Sequence, residues 1–259
     1  MTKKTKIIAI TGKGGSGKSV TTALMTKLLT EKYNKKLLLI DADPTHPHLS
    51  YLVNLIPERT IEDLRSEIIK SSMNQTLEVE EVARKIDFKI YDLIKETKKF
   101  GLIAIGQPRI EGCFCPLNSL LRSVIDSISK DYDFILIDCE AGLEQINRKV
   151  IKNVDIVLII SDMSVRGIET VRSITESAKT FTNCEYIGLI LNKVKGSYDS
   201  LLEHITNLNL PVLGKIPEDE MISQFDLEGR ALIQLPENTP SIISVRNIIE
   251  KLLNQKSNE

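Results

Sequence analysis

Three clusters of residues in this chain have types and spacings suited to chemistry. The first is Gly12-Lys13-Gly14-Gly15-Ser16-Gly17-Lys18-Ser19-Val20. Glycines at these spacings let backbone N–H groups converge on a phosphate at a helix N-terminus; Lys18 adds a point charge for the outer phosphate oxygens, and the Ser19 hydroxyl suits Mg²⁺. The second is a pair of acidic segments, Asp41-Ala42-Asp43-Pro44 and Asp138-Cys139-Glu140-Ala141-Gly142, each behind a short apolar run. Carboxylates at the C-terminal ends of parallel strands fall on the ligand side of a sheet, where a metal ion and an attacking water belong. Acidic strand ends are common, and only together with the glycine loop do these two point to phosphate chemistry.

The third cluster is Gly112-Cys113-Phe114-Cys115-Pro116. Residues two apart in extended chain point the same way, so both sulfurs can approach one ion. Proline suits a first helical position, which puts Cys115 at a helix cap, where the positive helix end favours thiolate. Two thiolates make half of a four-coordinate site. A two-fold axis between subunits would assemble four sulfurs, tetrahedral for Zn²⁺ or square-planar for Ni²⁺. On spacing alone, structural or redox use of the pair is an equal reading. Cys139 and Cys184 read as small buried hydrophobes. His46-Pro47-His48 either adds ligands near Asp43 or simply opens a helix.

The elements that must position these residues are legible as short apolar runs: Lys6–Thr11, Leu37–Ile40, Leu102–Gly106, Phe134–Ile137, Ile156–Ile160, Ile187–Leu191 and Val212–Ile216. They read as buried parallel strands. Between most of them lie segments of helical spacing, such as Thr21–Leu29 behind the glycine loop and Leu117, Leu120, Leu121, Val124, Ile125 and Ile128 on one face of another helix. The expected fold is therefore α/β, a doubly wound and mainly parallel sheet flanked by helices. From Pro57 to Phe100 the strand signal disappears and Thr60-Ile61-Glu62-Asp63 opens charged, helical sequence, read as a helical insertion over 57–100. No linker or repeat divides the chain, so one domain over 1–259 with a polar tail from Gln255 to Glu259 is expected. The helix Ser241–Asn254 carries Ile242, Val245, Ile249 and Leu252 on one face and mixed charges on the other, which favours docking on the domain over membrane or partner binding.

Composition narrows the function classes. The net charge is −1 from 34 basic and 35 acidic residues, which offers no global attraction to nucleic acid or an anionic membrane. No apolar stretch approaches the roughly 20 residues of a membrane span, and the apolar run behind the basic start is too short for a signal peptide. Four cysteines in an unexported chain suggest reduced thiols and a cytoplasmic location.

Lys13, giving Lys-Gly-Gly-x-Gly-Lys-Ser, makes the loop resemble the deviant phosphate loop of the ParA, MinD and nitrogenase iron-protein superfamily. The resemblance implies a P-loop fold of that kind and an ATP-dependent homodimer in which Lys13 reaches the partner's nucleotide; a solvated loop lysine is the bland alternative. It implies further that Asp43 positions or activates the attacking water, that Asp138 supports Mg²⁺ through its shell, and that Asp41 lies beside them. Asn192-Lys193-Val194-Lys195 is similar to a guanine-reading Asn-Lys-x-Asp motif, but Lys195 stands where the carboxylate for guanine would be, so adenine is favoured. By the same analogy Asn192 contacts the base edge and Pro217-Glu218-Asp219 packs near the ring; alternatively Asn192 is a strand-end turn residue. Gly12 to Val20, Asp41, Asn192, Pro217 and Glu218 thus form the expected nucleotide site for ATP or ADP, with Lys13, Lys18, Asp43 and Asp138 catalytic.

Cys113-x-Cys115 with Asn118, Glu140-Ala-Gly-x-Glu144 with Arg148, Asn192-Lys193 and Ile216-Pro217 narrow the resemblance to the CooC-type ATPases, which insert nickel during maturation of carbon monoxide dehydrogenase and, in related members, acetyl-CoA synthase. The resemblance implies a homodimeric metallochaperone, with Ni²⁺ or Zn²⁺ on Cys113 and Cys115 and one of those nickel enzymes as client. Val20, where threonine is usual, and His46-Pro47-His48 depart from the pattern. A MinD- or ParA-like positioning ATPase and a redox ATPase resembling the nitrogenase iron protein are the alternatives. The former needs a membrane helix or basic DNA surface, the latter cluster-bridging cysteines.

Overall fold

The computed structural model describes residues 5–44, 48–73, 91–107, 128–139, 154–197 and 199–254. Cys113, Cys115, Asn118, Glu140, Glu144, Arg148, His46 and the 255–259 tail lie outside them, as does most of the helix expected around Leu117–Ile125.

Eight strands form one sheet: β1 (Lys6–Gly12), β2 (Leu37–Ala42), β3 (Lys95–Glu96), β4 (Phe100–Ala104), β5 (Phe134–Cys139), β6 (Ile156–Ser161), β7 (Tyr186–Val194) and β8 (Val212–Pro217). Their order is β3-β4-β2-β5-β1-β6-β7-β8, and every pairing is parallel except β3 with β4. The described helices are α1 (Lys18–Glu31), α2 (His48–Leu52), α3 (Ile61–Met73), α4 (Val165–Phe181), α5 (Asp199–Thr206), α6 (Glu220–Leu227) and α7 (Pro240–Asn254).

The unbroken apolar runs are explained by two buried faces. Along β1, Ala9 joins a core layer with Ile168 and Val171 of α4, Leu64 of α3 and Leu201 of α5, while its neighbours Ile8 and Ile10 join an opposite layer with Leu24 and Leu28 of α1, Phe225 of α6 and Val245 of α7. The same alternation sends Leu38 and Ile40 to one side and Leu37 and Leu39 to the other. The face of α7 docks as its pattern predicts. Ile242, Val245, Ile248 and Ile249 are buried, at about 1.5–3 kcal/mol of transfer free energy each.

Two sequence expectations need correcting. The insertion over 57–100 is helical at its start, where Thr60 and Asp63 cap each other's backbone N–H as α3 begins. It is not wholly helical, because Lys95–Glu96 pairs antiparallel with β4 across a turn closed by Thr97, whose N–H and hydroxyl both reach the Phe100 carbonyl. A two-residue strand is too short to show alternation. β4 also lies nearer the N-terminus than expected: Phe100 pairs with Leu37, and Gly106 sits outside at φ 81.

Candidate functional site

β1 delivers the glycine loop at the middle of the sheet, where the chain order changes between β5 and β6. Such switch points leave a crevice at the strands' C-terminal ends. The loop is shaped by close approaches: a Cβ on Gly12 would lie 2.1 Å from the Ile160 carbonyl, and one on Gly17 would lie 2.1 Å from Asn192 Nδ2. Gly15 and Gly17 adopt φ 75 and 95, a region that side chains disfavour. The Ser16 N–H closes the turn on the Lys13 carbonyl at 3.1 Å.

Helix α1 begins at Lys18, three residues before the expected Thr21. Its cap position is Gly17, which has no side chain to cap the first-turn N–H groups. A helix end without a capping side chain keeps donors and the positive end of its dipole available to an anion. Lys18 Nζ lies 3.4 Å from the Lys13 carbonyl, at the mouth of the same loop.

Beside the loop, β2 and β5 run in register so that Asp41 and Asp138 are direct cross-strand neighbours. Both are nearly inaccessible, and each keeps one buried oxygen without a hydrogen-bond partner: Asp41 Oδ2 and Asp138 Oδ1. The hydroxyls of Thr11 and Ser16 are likewise buried and unpartnered. Burial, then the charge of Asp138, raises the Asp41 carboxyl to about 8, while the Asp43 N–H, donating at 3.3 Å, pulls the other way. Burial raises Asp138 to about 7 against hydrogen bonding by Ser19 and the charge of Lys18. Two carboxyls held above their ordinary range, with unpartnered oxygens and the Ser19 hydroxyl on Asp138, are hard oxygen donors that fit Mg²⁺. Asp43 is half-buried just past β2.

Of the expected base-side residues, Asn192 reaches the loop, whereas the contacts of Pro217 and Glu218 are with Val194 and Lys195 at the end of β7. Asn192 is buried near the end of β7 and donates Nδ2 to the Ser16 carbonyl at 2.8 Å. Pro217, the last residue of β8, pairs with Val194, and the Glu218 N–H donates to the Val194 carbonyl. Glu218 forms an ion pair with Lys195. His48 opens α2, and Cys139 closes β5 with its thiol pushed up by burial, matching its reading as a small buried residue.

Sequence reasoning overlooked Asp162. It follows β6, so the rule that singled out Asp41 and Asp138 applied to it too. Its carboxylate lies 3.3 Å from Lys13 Nζ and accepts the Ser164 hydroxyl at 2.5 Å. Burial alone would raise its pKa, but these two donors outweigh it and hold Asp162 below the usual carboxylate range. Lys193 Nζ also reaches the loop, lying 3.0 Å from the Gly15 carbonyl.

A central parallel strand, a glycine loop opening an uncapped helix and two acidic strand ends together define a P-loop nucleotide-binding protein of α/β class. The chain belongs, more narrowly, to the CobQ/CobB/MinD/ParA nucleotide-binding domain family, whose model matches residues 7–233. It is 38% identical over 255 residues to an uncharacterized ATP-binding protein of Methanocaldococcus jannaschii, covering 96% of this chain and 99% of that protein. It is 27% identical to the carbon monoxide dehydrogenase accessory protein CooC of Rhodospirillum rubrum, over 88% and 89% of the two chains. The fold is that of the septum site-determining protein MinD complexed with Mg-ADP from Pyrococcus horikoshii, with a TM-score of 0.70 at 22% identity, covering 99% of this chain and 100% of that one. No helix among the described residues is long and apolar enough to cross a membrane.

Proposed function

We propose that this protein is an ATP-hydrolysing homodimeric switch that carries a nickel or zinc ion on Cys113 and Cys115 for delivery to a nickel enzyme, carbon monoxide dehydrogenase or acetyl-CoA synthase. The observation that carries the switch is the in-register pair Asp41 and Asp138, each with an unpartnered buried oxygen, with Ser19 and Lys18 acting on Asp138. Ser19 and Asp138 would hold Mg²⁺, which supplies neutralisation of charge on the β- and γ-phosphates. Lys18 and the first-turn N–H groups of α1 bind and orient the triphosphate. Asp43 positions the water whose oxygen bonds the γ-phosphorus as the bond to the ADP oxygen breaks, and accepts its proton. Asn192 has already committed Nδ2 to Ser16, so its Oδ1 is the atom left to accept from the adenine amino group.

In the single chain Lys13 is engaged by Asp162 across a partly exposed ion pair. Such pairs contribute only about 0.2–1 kcal/mol, so ATP in a partner subunit is a competitive destination for the lysine. The cargo rests on the Cys-x-Cys spacing together with the likeness to a carbon monoxide dehydrogenase accessory protein.

A MinD-like positioning role is the second reading, favoured by the fold likeness. Against it, the apolar face of α7 is spent on the sheet rather than offered to a membrane. The deciding experiment is metal analysis with size-exclusion chromatography in ADP and in ATP, comparing wild type with Cys113→Ser/Cys115→Ser, alongside liposome co-sedimentation. The proposal expects an ATP-linked dimer that loses its metal, but not its nucleotide, in the double variant. Equal nickel affinity in ADP and ATP would sink the cargo role, and ATP-dependent sedimentation with liposomes would favour the second reading.

A further inference from the structure

We propose that Lys193 is a positioning residue for the phosphate loop, holding the loop from behind and tying its geometry to the end of β7. The inference rests on reading the loop as an ATP site. In a regular strand, consecutive side chains point to opposite faces, so Asn192 and Lys193 should not both reach one loop. They do so because the strand breaks its pattern there. Lys193 takes the left-handed conformation at φ 56, and the register of β7 against β8 shifts between Leu191 and Val194. Asn192 Nδ2 then donates to the Ser16 carbonyl at 2.8 Å and Lys193 Nζ to the Gly15 carbonyl at 3.0 Å, two consecutive peptide groups held from one side.

A left-handed backbone is unfavourable for any residue with a side chain, and it persists where surrounding contacts impose it. Burial is not the cause here, because Lys193 is exposed and its ammonium could be solvated instead. The consequence lies in the loop. A trans peptide directs its C=O and N–H to opposite sides, so holding the Gly15 and Ser16 carbonyls from the β7 side aims the Ser16 and Gly17 N–H groups away from β7. The Ser16 N–H then closes the turn on Lys13, and the Gly17 N–H is free of that turn. Gly17 belongs to the same fit, since a Cβ there would collide with Asn192 Nδ2 at 2.1 Å. The far side of β7 is separately tethered by the Glu218 N–H on Val194 and the ion pair of Glu218 with Lys195. Removing the Lys193 ammonium therefore loosens the loop and leaves the strand in place.

Three full-length variants test this: Lys193→Met, which keeps the stem; Lys193→Arg, which keeps a donor; and Lys193→Gly, which relieves the left-handed backbone. The measurements are hydrogen exchange of the 12–19 segment in nucleotide-free protein, calorimetric affinity for ADP and for adenosine, and the melting temperature. With Met or Gly, exchange in the loop accelerates and ADP binds about threefold to tenfold more weakly, while adenosine affinity is unchanged. Arg restores most of the ADP affinity, and Gly melts no lower than wild type. Unchanged loop exchange and ADP affinity would overturn the proposal, as would an equal loss for adenosine, which would place Lys193 on the base instead. Wild-type protein that fails to bind ADP would refute the ATP site itself.

Discussion

Loading the nucleotide site with magnesium must expel protons, and the amount follows from the two buried carboxyls. With Asp138 raised to about 7, about half of its population is protonated at pH 7, about nine-tenths at pH 6 and about one-tenth at pH 8. Asp41, at about 8, retains about nine-tenths of a proton at pH 7, and the two sites titrate as a coupled pair. A cation held by Asp138 needs the carboxylate. Its apparent affinity in the presence of ADP therefore rises about tenfold from pH 6 to pH 8 through Asp138 alone, about 1.4 kcal/mol, and more if Asp41 ionises as well. Isothermal titration of Mg-ADP in buffers of different ionisation enthalpy reads the protons directly, with magnesium-free ADP correcting for the nucleotide's own titration. About 0.5 proton is expected at pH 7, growing toward pH 6 and vanishing toward pH 8, with up to about 1.4 at pH 7 if both carboxyls ionise. A magnesium affinity that is flat from pH 6 to pH 8 would refute the reasoning, because it would mean that Asp138 is already ionised in the empty site or never meets the cation.

The same carboxyls link stability to pH. Their folded pKa values lie above the unfolded value, so the folded state binds more protons, and the nucleotide-free protein loses stability as pH rises from about 4 to about 8, by roughly a few kcal/mol. Melting curves at pH 5.5 and 8 should show this fall, and Mg-ADP should suppress it. Gly17→Ala forces a side chain into φ 95 and onto Asn192, which costs about 1–3 kcal/mol of stability and abolishes measurable ADP binding by calorimetry. Asp219→Ala removes one carboxylate that serves two helices, accepting the Met221 N–H of α6 and the Ser241 N–H of α7, and urea unfolding should register a loss of about 2–4 kcal/mol.

Much of this architecture is legible in the residues. Seven of the strands announce themselves as apolar runs because parallel strands covered on both faces need hydrophobic residues at every position, and the glycine loop is recognisable because few other patterns let a backbone wrap an anion. Ends are less legible. The start of α1 depends on Gly17 adopting a left-handed conformation, which spacing does not reveal, and β3 exists only because β4 offers an edge to pair with.

Pairings between distant parts of the chain were beyond the pattern. The sequence by itself determined the phosphate loop, the acidic strand ends, the mainly parallel α/β class and the docked face of α7, since each follows from local spacing and from which residues tolerate burial. Only the tertiary structure decided that Asp41 and Asp138 stand in register, buried, with the charge of Asp138 raising the proton affinity of Asp41, that Asp162 holds Lys13, and that Asn192 and Lys193 grip the loop from behind. Each of these is set by strand order, register or a single left-handed residue. Electrostatic coupling and hydrogen bonding act over a few ångströms in space, and the chain brings residues within that range only by folding.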